Sequence, residues 1–287
     1  MWIVLALMAA LGDALRDTST KKFAGSVSPL LISWSYSLFM LPFLAPLLIM
    51  AWPESIAGIF WPLITIVASL HVLGGIVLVR ALHAGDLSLS APLTAFTPVF
   101  LLITGPLITG DSVSTIGILG ACLVVSGSYL LNLSKAKAGP LGPILALTRQ
   151  PGARNMLFLA FLWSITGSID RLALKSIPLS FWGPAQAFAI ALFFLPVAVT
   201  RANWRSIFEG PTFRRLLIIG GTNALSFIPY LFALHMAPVY YVVCVKRTSI
   251  LLSIPLGRSV FGEDTLGERL VGASCMLLGV VIISFWG

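Results

Sequence analysis

Ala81-Leu82-His83 returns as Ala233-Leu234-His235, 152 residues later, and the same displacement carries Gly110 to Gly262, Gly120-Ala121 to Gly272-Ala273 and Gly127 to Gly279. No gap is needed over that stretch, and Asp111 finds the acidic counterpart Glu263. Both copies lie in apolar sequence. A unit written twice in hydrophobic sequence is the usual build of a secondary transporter, whose substrate sits where the halves meet.

Composition agrees. Of 287 residues, 58% are hydrophobic and only 10% charged, and mean hydropathy is +0.99. A soluble domain carries roughly 25% charged residues, so lipid is the expected solvent. Cutting at polar and Pro/Gly clusters gives ten segments near the length of a span: 2–20, 28–50, 57–80, 87–109, 115–133, 155–174, 181–200, 214–235, 239–260 and 268–286. The fold class expected is an all-α polytopic membrane protein. Residues 1–133 form one five-helix repeat, 134–154 a connecting loop and 155–287 a second repeat. Because five is odd, the second repeat runs through the membrane inverted relative to the first. The apolar start lacks a basic leader and is interrupted by Gly12-Asp13, so it reads as the first span rather than a cleaved signal.

The net charge of +8 resides in loops. Lys135, Lys137, Arg149 and Arg154 fall between spans 5 and 6, with Arg201 and Arg205 between spans 7 and 8. On the other side the 2–3, 4–5 and 8–9 loops carry Glu54 and Asp111 but no Lys or Arg. The positive-inside rule places the basic loops in the cytoplasm and both termini outside. Nucleic acid is not an expected partner. The expected partners are a small-molecule substrate and the lipid bilayer, with a homodimer as the assembly to test. Cys122, Cys244 and Cys275 have no metal-ligand spacing, and no cofactor or metal is expected.

Thr97-Pro98-Val99-Phe100, Gly110-Asp111 and Gly117-Ile118-Leu119-Gly120-Ala121-Cys122-Leu123 with Gly127 resemble the fourth-to-fifth helix pattern of EamA-type proteins of the drug/metabolite transporter superfamily. Asp17 with Lys22, and Asp170 with Lys175, recur near where that family places a basic residue. The resemblance implies ten helices in two inverted five-helix repeats around a central cavity, with the termini in the cytoplasm, opposite to the charge bias. Family members move amino acids, drugs, sugar phosphates or nucleotide sugars. The related organellar phosphate translocators hold their anion with a Lys-Arg pair in the ninth helix, and here that position reads Lys246-Arg247.

Read from the residues, Lys246-Arg247 lies about 10 Å into span 9. A charge at helix centre costs about 2.5–3.5 kcal/mol, so the pair needs a carboxylate, a phosphate or a wet cavity. Arg grips such a group bidentately and Lys adds a point charge. In span 1, Asp13, Arg16 and Asp17 share one face. They form either an internal salt bridge or a cavity wall. Asp17 and Asp170 are candidates for proton coupling, because a carboxyl in low dielectric can carry a proton. Asp170-Arg171 near the end of span 6 also reads as an interfacial ion pair. His71 and Asn223 are repeat-related polar positions inside their spans, and Tyr230 shares a face with Asn223.

The function expected is secondary transport of a small anionic or zwitterionic metabolite by alternating access, through exchange or proton coupling, in an inner or plasma membrane. No nucleotide-binding loop is present. One alternative is an exporter of amino acids or cationic drugs that uses the span-1 carboxylates. Another is a membrane enzyme acting on a lipid-linked phosphate through Arg80, His83 and Asp86, although no second catalytic motif accompanies them.

Overall fold

The computed structural model describes residues 1–50, 52–83, 91–133, 141, 145, 149–261 and 270–286. His83 as a side chain, Asp86, Gly262, Glu263 and most of the 134–154 loop lie outside the described residues. Thirteen α-helices are described: α1 (Trp2–Phe23), α2 (Pro29–Leu38), α3 (Leu41–Leu44), α4 (Leu47–Met50), α5 (Phe60–His83), α6 (Thr97–Thr109), α7 (Thr115–Leu133), α8 (Pro151–Ala173), α9 (Leu179–Arg201), α10 (Gly210–Met236), α11 (Val239–Lys246), α12 (Ser249–Phe261) and α13 (Leu270–Trp286). There is no β-strand among the described residues.

Among the described residues, four helices are long and apolar enough to cross a membrane, over Phe60–Ala81, Pro151–Ala173, Leu179–Arg201 and Gly210–Met236. Shorter apolar helices cover Pro29–Leu44, Leu93–Thr109, Thr115–Leu130 and Val271–Ile283. α1 has 22 residues, but Asp13, Arg16 and Asp17 lower its hydropathy. Side chains that a water-soluble protein would bury face outward, among them Leu7, Leu11, Phe188, Leu192, Leu277 and Leu278. A lipid-facing surface demands this arrangement.

Local sequence sets the ends and the breaks. Ser28 caps α2 by accepting the Leu31 N–H on its hydroxyl at 3.3 Å, with Pro29 at the helix start. α6 stops at Gly110, which takes a left-handed φ of 71° and returns its N–H to the Pro106 carbonyl. Three of the expected spans are broken rather than continuous. Span 2 divides into α2, α3 and α4 around Pro42 and Pro46, because each proline removes a backbone donor. Span 4 opens with a 3-10 turn over Ala91–Phe96 and becomes α-helical only at Thr97. Span 9 ends α11 at Lys246, turns at Arg247-Thr248 and restarts as α12. α8 already begins at Pro151, within the stretch 134–154 expected as the connecting loop.

Helices from the two ends of the sequence pack against each other. α1 lies against α10, α11 and α12, while α8 lies against α5 and α6. α7 and α13 pack extensively against each other. A Cβ on Gly127 would stand 2.5 Å from the Gly272 carbonyl oxygen, and one on Gly279 would stand 2.5 Å from the Gly120 oxygen. The repeat-related glycines therefore face each other, first against last, and their missing side chains let the two backbones touch. One large core, including Leu101, Trp182, Leu231, Tyr240 and Val242, joins elements of both halves.

Candidate functional site

A cavity of about 420 Å³ opens between the halves, walled by α1, α2, α5, α8, α9, α10, Thr97 at the start of α6 and the break between α11 and α12. Asp13, Arg16, Asp17, His71, Asp170, Asn223, Tyr230, Lys246 and Arg247 all line it. The nine positions singled out from sequence thus share one space, although they come from five different spans.

At its centre is a closed set of charges. Asp13 accepts Arg16 at 2.8 Å and Lys246 at 3.3 Å, and Ser226 donates its hydroxyl to Asp13 at 2.6 Å. Arg16 also pairs with Asp17 at 2.8 Å and donates to the Asn223 side-chain oxygen at 3.3 Å. Two carboxylates face two cations, so each charge has a partner of opposite sign. Asn223 spends its N–H on the Tyr36 carbonyl at 2.8 Å, beside the place where span 2 breaks. The Lys246 ammonium lies 4.7 Å from the Tyr230 ring centroid and Arg16 lies 5.5 Å from that of Tyr36, both within cation–π reach. His71 donates its Nδ1–H to the Val67 carbonyl at 3.0 Å, one turn back in its own helix.

Arg247 stands apart from that balance. Its Nη2 donates to the Thr97 hydroxyl at 2.9 Å, while its buried Nε has no partner. No carboxylate among the described residues pairs with it. Thr97 opens the helical part of span 4 and Arg247 sits in the turn of span 9, so the bond joins two broken helices, one from each half. Breaks of this kind, lining a cavity, are where transporters bind their ligands.

Asp170 corrects the reading of an interfacial pair with Arg171. Its side chain is buried in the cavity wall, where Oδ1 accepts the indole N–H of Trp182 at 3.1 Å and the amide N–H of Gln186 at 2.8 Å. Arg171 turns away and meets Asp111 at 3.2 Å. Lys175 reaches the same carboxylate at 2.8 Å and the Thr109 carbonyl at 2.6 Å. Arg171 also donates to the carbonyls of Leu234 and His235. Close by, Tyr240 donates to the Ser112 carbonyl at 2.6 Å, and the hydroxyls of Tyr241 and Ser114 meet at 3.2 Å. These bonds tie the ends of α6, α8 and α10 to the start of α11. Burial opposes the Asp111 charge, but hydrogen bonds from Lys175, Arg171 and Thr109 outweigh it and hold the carboxyl below its ordinary value.

Gln186, Thr97, Ser226 and Tyr36 escaped the sequence reading. For Gln186 a signal existed, as an amide isolated in an otherwise apolar span should face a partner. Arg80 is exposed, and its companions in the enzyme alternative, His83 and Asp86, lie outside the described residues.

No curated protein matches the chain. Among solved structures, 28 chains match. One, titled only as the crystal structure of a protein, aligns over 98% of this chain and 95% of its own, with a TM-score of 0.78 and 14% identity. At that identity the likeness shows the fold alone. Residues 1–133 match the model of the EamA-like transporter family, as a member of the drug/metabolite transporter superfamily would, and the likeness supports a multi-pass membrane transporter of small solutes.

Proposed function

We propose that this protein is a secondary transporter that carries a small anionic or zwitterionic metabolite across an inner or plasma membrane by alternating access. Its ten spans would form two inverted five-helix repeats. The matched packing of α1 and α8, and the glycines that meet first against last between α7 and α13, support that arrangement. The observation that carries the reading is Arg247. It is a guanidinium held by one neutral hydroxyl, with an orphan Nε, at the meeting of two broken helices. A buried donor without a partner is costly, and a substrate carboxylate or phosphate arriving there would satisfy it bidentately.

The neutralised cluster of Asp13, Arg16, Asp17 and Lys246 frames the site. Because Asp13 is already held by two cations and a hydroxyl, it is a poorer cation receptor than the exporter alternative requires. Lys246 supplies a second positive charge, and Asn223, Tyr230 and His71 supply polar contacts. Transport runs by exchange or with a proton, for which Asp17 and Asp170 are the candidate carriers.

The test is thermal melting of the purified protein with a panel of metabolites, wild type beside Arg247→Gln and the Lys246→Ala/Arg247→Ala double variant. A true ligand at a hundredfold excess over Kd stabilises by about 2.7 kcal/mol. A carboxylate or phosphate that raises Tm in wild type and not in either variant supports the reading. Anion-dependent stabilisation that survives in both variants overturns it.

A further inference from the structure

The cavity holds a second feature that the anion does not use. Asp170 is only 4% exposed and Gln186 only 1% exposed, and both line the cavity. Gln186 turns its amide N–H to Asp170 Oδ1, and Trp182 gives its indole N–H to the same oxygen. That orientation leaves Gln186 Oε1 buried with no hydrogen-bond partner. Asp170 Oδ2 likewise has no hydrogen-bond partner among the described residues. Two acceptors are therefore left over in one wall, whereas Arg247 is a donor left over in another. Each is a group that water or a ligand has to complete.

Flipping the Gln186 amide does not remove the mismatch. It would turn Oε1 toward the Asp170 carboxyl, acceptor against acceptor, unless Asp170 itself supplied a proton. The Tyr230 hydroxyl adds polarity nearby, close to Gly167, three residues before Asp170 on α8. The lining also includes the apolar side chains of Phe194, Phe227, Ile190 and Leu78. A ligand that matches this wall carries an acid at one end, N–H donors at the other and carbon between them.

We infer that Asp170 and Gln186 form a second subsite that binds the ammonium group of the substrate, so that the transported metabolite is a zwitterion, an amino acid or aminoalkyl phosphate rather than a simple acid or sugar phosphate. The inference rests on the reading that Arg247 takes the substrate's anionic group. An ammonium has three N–H donors. Oδ2 and Oε1 accept two, and the charge of Asp170 favours a cation over a hydroxyl. The discrimination is strong because an analogue lacking the amine leaves the buried Gln186 Oε1 without a partner and the Asp170 carboxylate without a cation.

The experiment uses matched probes on the full chain in detergent: the twenty common amino acids and ethanolamine phosphate, each beside its analogue without the amine. The proteins are wild type, Asp170→Asn, Gln186→Leu and Arg247→Gln, with the ligand-free melt of each reporting that it folds. Wild type is expected to bind at least one zwitterion more than about tenfold tighter than its des-amino partner. Asp170→Asn, which is nearly isosteric, should bring that ratio to within about twofold while still binding the des-amino acid, since the lost charge matters only to the amine. Gln186→Leu should narrow the ratio in the same direction. Arg247→Gln should abolish both ligands. If acids bind as well as zwitterions in wild type, if no zwitterion binds, or if Asp170→Asn keeps the preference, the inference is overturned. The Arg247 reading then stands or falls separately, on whether Arg247→Gln removes the acids.

Discussion

Gly12 lies against the backbone of Ser226, so close that a methyl group there would stand 2.5 Å from the Ser226 Cα. The contact brings α1 near enough to α10 for the Ser226 hydroxyl to reach the Asp13 carboxylate at 2.6 Å, one residue further on. Gly12→Ala should therefore push the helices apart at the cavity wall. The expected cost is about 1–3 kcal/mol of overpacking, read as a lower Tm, together with loss of ligand-induced stabilisation. An alanine variant that melts and binds like wild type would contradict the crossing.

Thr97→Val removes the side-chain acceptor of Arg247 and leaves the shape of residue 97 nearly unchanged. The ligand-free protein should lose about 1–3 kcal/mol, because a buried cationic donor is left unsatisfied. Stabilisation by an anionic ligand should then grow, since the ligand relieves a larger penalty. Melting curves with and without ligand measure both effects, and a smaller ligand shift in the variant would count against this role for Thr97.

Asp111→Asn takes the charge from the clasp of Arg171 and Lys175. Lys175 is 36% exposed, so water screens that arm, and the expected loss is about 1–2 kcal/mol, mostly through the less exposed Arg171. The pH dependence has a definite sign. A carboxyl held below its ordinary value in the folded protein contributes stability that is fully present above the unfolded value of about 4 and is lost as pH falls through the folded value. The Tm difference between wild type and Asp111→Asn should accordingly be constant near neutrality and shrink below about pH 4. A difference that holds steady into strong acid would exclude Asp111 as the group responsible.

Gly127→Ala and Gly279→Ala probe equivalent places on the α7–α13 crossing, since each new Cβ would meet a glycine carbonyl of the opposite helix at 2.5 Å. Each should destabilise by about 1–3 kcal/mol, and the two Tm shifts should be similar in size. One severe and one silent variant would break the matched arrangement.

Much of the site was legible because charge inside an apolar span is rarely idle. Lys246, Arg247, Asp13, Arg16, Asp17 and Asp170 were singled out on that ground, His71 and Asn223 as repeat-related polar positions and Tyr230 for its face, and all line the cavity. Pairing was less legible. Arg171 sits beside Asp170 in the chain, yet its partner is Asp111, 60 residues away. Adjacent helical residues point about 100° apart, and only tertiary packing decides which cation each carboxylate meets. The breaks were partly visible. Pro42 and Pro46 announce the division of span 2, but no proline or glycine marks the turn at Arg247-Thr248. The break there coincides with the Arg247–Thr97 bond, a contact between residues 150 apart that local sequence does not encode.

The glycine crossing of α7 and α13 has an evolutionary corollary. A carbonyl of one half occupies the volume that a side chain of the other half would need, so mutational tolerance at Gly120 and Gly127 depends on what stands at Gly279 and Gly272. The two halves cannot drift independently at these positions. A chimera that joins the first half of this chain to the second half of a bulkier relative would fail at this seam, even if each half were sound in its own parent.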